Sequence, residues 1–557
     1  MSELDTHLQQ ALQVGCTALE AVTASLAAAV EDPKRPGQLS TSQLHAHGDA
    51  AMWLARATAE LQASAMLLET FAGRPDDNGS RRLSRYAAAR VLLQLDASLR
   101  AEAPSLPDAP EGLTLTTEQR GALKAACGPE AIEGLAGWIC GGGASAPAAY
   151  ALSPDHEDIR ALFRDFADAQ VAPLAEHIHR EDALLPEELI GAYAEIGALG
   201  ITIPERWGGQ FIDHRSMAIA TEELSRASLG AGGSVITRPE IASKALLAGG
   251  SDAQKKHWLP RIAKGQEIVG IAVTEPNAGS DVAAVRTVAE RATGPNGEDG
   301  WLLTGEKTWC TFAGRASVLL VLARTGKPED GAKGLTLFLV PKPATKAPAD
   351  DRSFAHADGH GGSLSGRAIP TVGYRGMHSF TCFLERWFVP DSLRVGEVGS
   401  GFALQMKGFA GGRIQTAARA VGVMEAALRT AVSYTRERLV FGRSLDSLPL
   451  VRRRLCDMAA RIALSRQMTF AVCDAMDEHK GDVDASLVKL LACRDAELVT
   501  REAMQLHGGM GYSEEYAVSR YWQDARVLSI FEGAEEVLAV LVIARTLLRD
   551  RLAAVPG

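Results

Sequence analysis

The 557-residue chain carries 58 Lys and Arg against 68 Asp and Glu, for a formal charge of −10, and is 46% hydrophobic and 23% charged. That length exceeds what one hydrophobic core serves, so roughly two to four compact units are expected, and the scattered basic residues argue against a nucleic-acid partner, which would need clustered cations to neutralise phosphates. No apolar run approaches the roughly 20 residues of a membrane span, and the eight cysteines include no Cys-x-x-Cys pair, so the expectation is a soluble protein without membrane insertion, zinc or disulfides.

The opening string MSELDTHLQQ places Glu3 and Asp5 where an export or import signal would carry basic residues, and a cytoplasmic location is expected. Residues 1–150 read as a helical extension, with Ala/Leu-rich stretches such as AMWLARATAELQASAMLLETFAG, closed by the linker-like string GGGASAPAAYALSP. Residues 151–266 are again helical by periodicity, with apolar stripes in LFRDFADAQVAPLAEHI and ELIGAYAEIGALG. Across 267–396 the pattern changes to short β-branched runs between turns: EIVGIAVTE, GWLLTGEKTWC, SVLLVLART, GLTLFLVPK and TCFLERWFVP. The polar stretch 342–370 is too long for an ordinary connection and reads as a functional flap or a mobile loop. Residues 397–557 return to helical periodicity, as in Leu455, Met458 and Ile462. Near their end VLAVLVIA is apolar all round, which predicts burial from every side in a bundle centre or a subunit contact. The fold class expected is mainly α with a central β-domain. No GxGxxG opens a helix after a strand, so a Rossmann nicotinamide site is disfavoured and a redox cofactor would have to be held otherwise.

The string AVTEPNAGSDVAAV ends a strand in a turn of small residues bearing Thr274, Gly279 and Ser280. Such a turn exposes amides and hydroxyls to a flavin edge or a pyrophosphate, although a simple β-turn has the same composition. LTGEKTWCTFAG sets Trp309 and Thr311 on the next β-segment, an aromatic plate beside a hydroxyl donor, which an isoalloxazine ring requires.

These two strings, followed by RERLVFGRSL, QLHGGMGYSEEY and ARVLSIFEGAEEV, resemble the acyl-CoA dehydrogenase family over about residues 155–551, leaving 1–150 outside. The resemblance implies a helical domain, a β-barrel-like domain and a C-terminal four-helix bundle in a homodimer or homotetramer, with FAD lying across subunits. It places Thr274, Gly279, Ser280, Trp309 and Thr311 against the flavin and nearby phosphates. It sets Arg438, Phe441, Gln505 and Gly509 against the adenosine half from a neighbouring subunit, the Arg438 fork matching phosphate oxygens. It also puts Ala534 and Glu536 beside the cofactor, Arg413 near the CoA moiety, and Ser280 and Gly533 at the thioester end.

By the same resemblance Glu532, in FEGAEEV, is the catalytic base. Removing a proton α to a thioester carbonyl needs a carboxylate in a water-poor site, while a β-hydride passes to the flavin. The enolate oxygen is implied to be held by the backbone N–H of this Glu and a flavin ribityl hydroxyl. Some relatives carry the base on the helix equivalent to GFAGGRIQ, where this chain has Gly412, leaving Glu532 alone. Two departures concern the cofactor: Ala534 stands where the family usually has Thr, and Leu448-Pro449 replace residues that often assist FAD.

The N-terminal extension, with GYRGMHSF and TEPNAGSDV, resembles a branch of the family that oxidises (2S)-methylsuccinyl-CoA to mesaconyl-CoA and passes electrons to an electron-transfer flavoprotein. A second substrate carboxylate needs a buried cation, and Arg238 in GGSVITRPEIASK is the candidate, its plain reading being a helix-end surface arginine. The alternatives are a dehydrogenase of another short or branched acyl-CoA, an acyl-CoA oxidase, and a catalytically idle scaffold.

Overall fold

The computed structural model describes residues 2–75, 78–102, 110–143, 151–294, 296–344 and 352–554. The linker string and the 342–370 stretch therefore lie partly outside the described residues. By its internal contacts the chain forms two compact units, residues 1–159 with 416–557 and residues 160–415.

The first unit opens with α1 (Glu3–Val30), where Ser2 and Asp5 exchange the hydrogen bonds of a capping box. Asp5 is buried and accepts Arg85 Nε at 2.6 Å and the Arg81 guanidinium. Burial alone would push its carboxyl up, but the hydrogen bonds from Arg85 and Arg81 hold it well below the usual carboxylate range. By length and composition α1 could cross a membrane, which corrects the expectation that no such stretch exists. Here its stripe of Leu8, Leu12, Val22 and Leu26 is buried, and the helix packs against its neighbours.

A ribbon of β1 (Glu31–Asp32) and β2 (Arg35–Leu39) leads through α2 (Thr41–Ala46) to the long helices α3 (Gly48–Phe71) and α4 (Gly79–Glu102). Shorter helices α5 (Thr117–Cys127) and α6 (Pro129–Cys140) follow.

The second unit begins within α7 (Pro154–Phe166) and continues through α8 (Ala172–Arg180), α9 (Glu187–Glu195), α10 (His214–Ala227), α11 (Thr237–Gly249) and α12 (Asp252–Ala263). Glu223 on α10 is buried and accepts hydrogen bonds from Arg160, Arg164 and Arg226, pinning α7 to α10.

The sheet comprises, among the described residues, β3 (Val269–Ala272), β4 (Val288–Thr293), β5 (Asp299–Thr311), β6 (Val318–Arg324), β7 (Leu335–Pro341), β8 (Ser353–Ala357), β9 (Ser363–Ile369), β10 (Ser379–Pro390) and β11 (Arg394–Val395). Its order is β11-β7-β6-β4-β5-β10-β9-β8, with β3 parallel to β6. Strand β6 is buried on both faces. Leu320 and Leu322 join Leu246 and Leu259 of the helices, while Leu319 and Val321 face Trp301, Phe338 and Phe380. A continuous apolar run is what a doubly covered strand requires.

The 342–370 stretch is not a structureless flap. Residues 353–357 and 363–369 form β8 and β9, an antiparallel pair that widens the sheet beyond β10. Their Ser, Gly and His content hid them from β-branched patterning.

Helix α13 (Gly401–Glu437) carries the chain back into the first unit. There the ribbon β12 (Leu439–Val440) and β13 (Arg443–Ser444) precedes α14 (Pro449–Asp477), α15 (Asp482–His507), α16 (Val518–Leu528), a π-helical stretch Val537–Ala544 and α17 (Arg545–Ala553). Helices α3, α4 and α6 pack on α14, and α3 also packs on α15 and the π-helical stretch. The Tyr86 hydroxyl and Arg90 Nε reach Asp457 of α14 at 2.7 and 3.0 Å. The extension is thus built into the C-terminal helices. VLAVLVIA is buried at Leu538, Ala539, Ile543 and Ala544 only, while Val540 to Val542 remain half-exposed, so burial from every side does not hold within one chain.

Candidate active site

In the second unit the small-residue turn follows β3. Glu275 and Ala278 exchange backbone hydrogen bonds, and the Glu275 carboxylate accepts the N–H groups of Arg286 at 2.8 Å and Thr287 at 2.7 Å. Lys307 Nζ, buried in β5, donates to Glu275 at 2.8 Å and to the Val273 carbonyl at 3.0 Å. One buried ion pair therefore closes the base of the turn, leaving Gly279 and Ser280 exposed at its tip and Thr274 half-buried. At Gly279 a Cβ would meet only the Thr274 methyl, at 3.8 Å, so the amide there is open to a ligand.

Trp309 stands beside this turn. Cys310 pairs with Phe380 and Lys307 with Cys382, so Thr308 and Trp309 together face Thr381 alone, which is a β-bulge. The bulge turns Trp309 to φ 57 and leaves it 56% exposed. A bulky ring in left-handed backbone is strained, and such strain gathers at ligand sites. Thr308 N donates to the Thr274 carbonyl at 2.9 Å, tying bulge to turn, and Thr311 Oγ1 lies 3.0 Å from Ser379 Oγ further along the strand. An open amide turn beside an exposed indole fits a flavin ring.

Arg238 is not a surface arginine. It is 6% exposed in the first turn of α11 and lines a cleft with Leu199, Val235, Ile268, Phe312 and Met377. Its guanidinium donates to the Ser234 carbonyl, to Met377 Sδ at 3.7 Å and to the Tyr374 hydroxyl at 3.1 Å. No carboxylate pairs with it among the described residues. Tyr374 and His378, at φ 57 and 34, belong to a loop held from outside, with Arg375 donating to the His179 carbonyl and His378 Nε2 lying 2.9 Å from the Asp182 carbonyl. Arg413 is half-buried and Gly412 buried, both on α13.

In the first unit Glu532 sits in the turn between α16 and the π-helical stretch. Glu532 and Gly533 take φ 54 and 103 in succession. Lys489 Nζ, from α15, donates to the Gly533 carbonyl at 2.7 Å, and Glu535 N closes the turn onto the Ser529 carbonyl at 3.1 Å. Glu532 is half-buried, and its Oε2 is shielded from solvent without a hydrogen-bond partner among the described residues. Its backbone N–H is likewise free of a protein acceptor there.

Elsewhere in this unit the Phe441-Gly442 pair connects β12 to β13 with φ 51 and 78, as a two-residue hairpin demands, and Phe441 is 96% exposed. Arg438 N bonds the Tyr434 carbonyl, and the Tyr434 ring stacks on His507 with centroids 4.2 Å apart. That stack brings the Arg438 and Phe441 ribbon to the same end as Gln505 and Gly509, all four residues being exposed. Ala534 is half-buried and Glu536 exposed.

Sequence reasoning missed Glu275, Lys307, Lys489 and Tyr374. For Lys307 a signal existed, because it falls on the same inward parity as Trp301 and Leu303 in β5, where an unpaired cation is untenable.

Three family models match the chain: acyl-CoA dehydrogenase N-terminal domain over 153–266, middle domain over 270–385 and C-terminal domain over 399–548. A curated relative, (2S)-methylsuccinyl-CoA dehydrogenase of Cereibacter sphaeroides, is 42% identical over 399 residues, 71% of this chain and 70% of its own length. The structure of butyryl-CoA dehydrogenase from Megasphaera elsdenii aligns with TM-score 0.64 at 30% identity, covering 71% of this chain and 99% of that one. A structure described as the electron transferring flavoprotein of Acidaminococcus fermentans aligns with TM-score 0.65 at 29% identity, covering 72% and 99%.

Proposed function

This chain belongs to the acyl-CoA dehydrogenase family, FAD-dependent oxidoreductases acting on the CH–CH group of an acyl-CoA, and we propose that it converts (2S)-methylsuccinyl-CoA to mesaconyl-CoA. The observation that carries this substrate is Arg238, a buried cation without a carboxylate partner among the described residues, beside the apolar residues of its cleft. A buried charge of that kind is costly unless a ligand's anion meets it, and the free carboxylate of a dicarboxylic acyl chain is such an anion. The 42% identity to the Cereibacter enzyme agrees with that choice.

Glu532 removes the α-proton of the thioester, its unpartnered Oε2 being the accepting atom. The free N–H of Glu532 donates to the thioester oxygen, where negative charge develops as the proton leaves. FAD, when bound, supplies the acceptor for the β-hydride. Thr274, Gly279, Ser280, Trp309 and Thr311 hold its ring and adjoining phosphate region, with Ser280 also touching the thioester end, while Arg413 serves the CoA moiety. Arg438, Phe441, Gln505 and Gly509 receive the adenosine half of a neighbouring copy's FAD, with Ala534 and Glu536 close to the cofactor, in a homodimer or homotetramer. An exposed Phe441 tip supports that reading, since a large apolar ring in water is expected to be covered by a partner. Electrons leave to an electron-transfer flavoprotein. The setting is the cytoplasm, where eight cysteines outside any disulfide stay reduced.

The test is anaerobic titration of the yellow holoenzyme with a panel of acyl-CoA compounds, followed by turnover with oxygen and with an electron-transfer flavoprotein. Bleaching by (2S)-methylsuccinyl-CoA with turnover only on the flavoprotein supports this function. Preference for butyryl-CoA would make it a plain short-chain dehydrogenase, oxygen turnover an oxidase, and no bleaching at all an idle scaffold.

A further inference from the structure

The turn carrying Glu532 places two consecutive residues at positive φ, and a non-glycine residue held there persists only where its surroundings fix it. Within the C-terminal helices, Lys489 on the Gly533 carbonyl and the Glu535 amide on the Ser529 carbonyl hold this one. A further contact comes from outside the region matched by the family models. Arg56, on α3 of the extension, donates to Glu535 Oε1 at 2.6 Å, and Arg494 of α15 approaches the same oxygen at 3.3 Å. Glu535 is the third residue after Glu532, and the Arg56 and Glu535 side chains are 36% and 17% exposed, so water only partly screens the pair.

Other charges crowd this contact. Glu60, one turn along α3, is pushed up by burial and by Asp495, and Asp495 is in turn bound by Arg461 at 2.5 Å. Arg494 is lowered by burial and by its neighbour Arg56. Arg494 is the longer contact to Glu535, and Arg56 is the short one.

We propose that Arg56 is a positioning residue for catalysis: through Glu535, the N-terminal extension holds the Glu532 turn in its working conformation. This rests on Glu532 being the base. A purely structural extension would stabilise the chain without affecting the proton-transfer step. A positioning contact instead lowers the rate of flavin reduction while leaving substrate and cofactor binding intact, because small misplacement of a base is felt in the transition state.

The experiment compares full-length holoenzyme carrying Arg56→Met, Arg56→Lys, Glu535→Gln, the Met/Gln double substitution and Glu532→Gln. Each is mixed anaerobically with saturating (2S)-methylsuccinyl-CoA or butyryl-CoA, and the rate constant of flavin reduction, the substrate Kd, FAD content and Tm are recorded. Expected are about tenfold slower reduction in Arg56→Met and in Glu535→Gln, with Kd within about twofold, partial recovery in Arg56→Lys, and a double variant no slower than Glu535→Gln. Reduction within about twofold of wild type in folded, FAD-loaded Arg56→Met overturns the proposal whatever Glu535→Gln shows, as does a loss tracking Tm or FAD content alone. If Glu532→Gln itself reduces flavin normally, the base assignment fails, which is a different outcome from the failure of the Arg56 contact.

Discussion

Lys307 Nζ lies 2.8 Å from Glu275 Oε1, and this buried pair closes the turn that bears Thr274, Gly279 and Ser280. Glu275 keeps two backbone N–H donors if Lys307 is removed, whereas Lys307 keeps only one carbonyl if Glu275 is removed. Glu275→Leu is therefore expected to cost about 3–5 kcal/mol in urea unfolding and Lys307→Met less, both with loss of bound FAD.

The same pair sets an acid limit. Burial pushes the Glu275 carboxyl up, but the Lys307 charge and the donors Lys307, Thr287 and Arg286 outweigh it and hold it below its ordinary value. Stabilisation from a depressed carboxylate is complete above the unfolded value, about 4.3, and is lost as pH falls through the folded value. Thermal unfolding followed from neutral pH into acid is expected to fall more steeply below about pH 4 in wild type than in Glu275→Gln.

Gly533 cannot carry a side chain. At φ 103 a Cβ would meet Leu538 Cδ2 at 2.9 Å. Gly533→Ala is expected to slow flavin reduction roughly thirty- to a hundredfold, corresponding to about 2–3 kcal/mol of backbone strain, which stopped-flow absorbance measures.

Trp309 is exposed and strained, so its replacement by glycine should relieve the backbone while removing the ring. Expected is an apoprotein Tm unchanged or raised, with an FAD Kd weakened about tenfold, read by flavin fluorescence.

Arg238→Met should raise KM for (2S)-methylsuccinyl-CoA by at least about thirtyfold, the low end of about 2–5 kcal/mol for a buried charge pair, and leave butyryl-CoA nearly unaffected. Equal effects on both substrates would remove the carboxylate role from Arg238.

Strands β6 and β7 were legible in SVLLVLART and GLTLFLVPK because burial on both faces leaves an unbroken apolar run. Strands β4, β8 and β9 were not, since VAERAT, SFAHA and SLSGRAI carry polar or small residues suited to a strand with one wet face or an edge. At the site, the turn and Trp309 could be picked out by residue type. The bulge that exposes Trp309 could not, because it depends on register with β10. Arg238 could be picked out as the cation for a second carboxylate, but by pattern alone it was also a helix-end surface arginine; its burial rests on long-range contacts such as Tyr374 and Met377. The extension read as generic Ala/Leu helix, and its tie to the turn that carries Glu532 is a contact between residues 479 positions apart, beyond any local pattern.

The most direct test of Glu532 as the base is anaerobic mixing of (2S)-methylsuccinyl-CoA with wild-type and Glu532→Gln holoenzyme, each shown to hold FAD and to bind the thioester. Wild-type flavin should bleach fully within the first turnover while the Glu532→Gln flavin stays oxidised with substrate bound. Bleaching of the Glu532→Gln flavin at the wild-type rate would contradict the assignment outright.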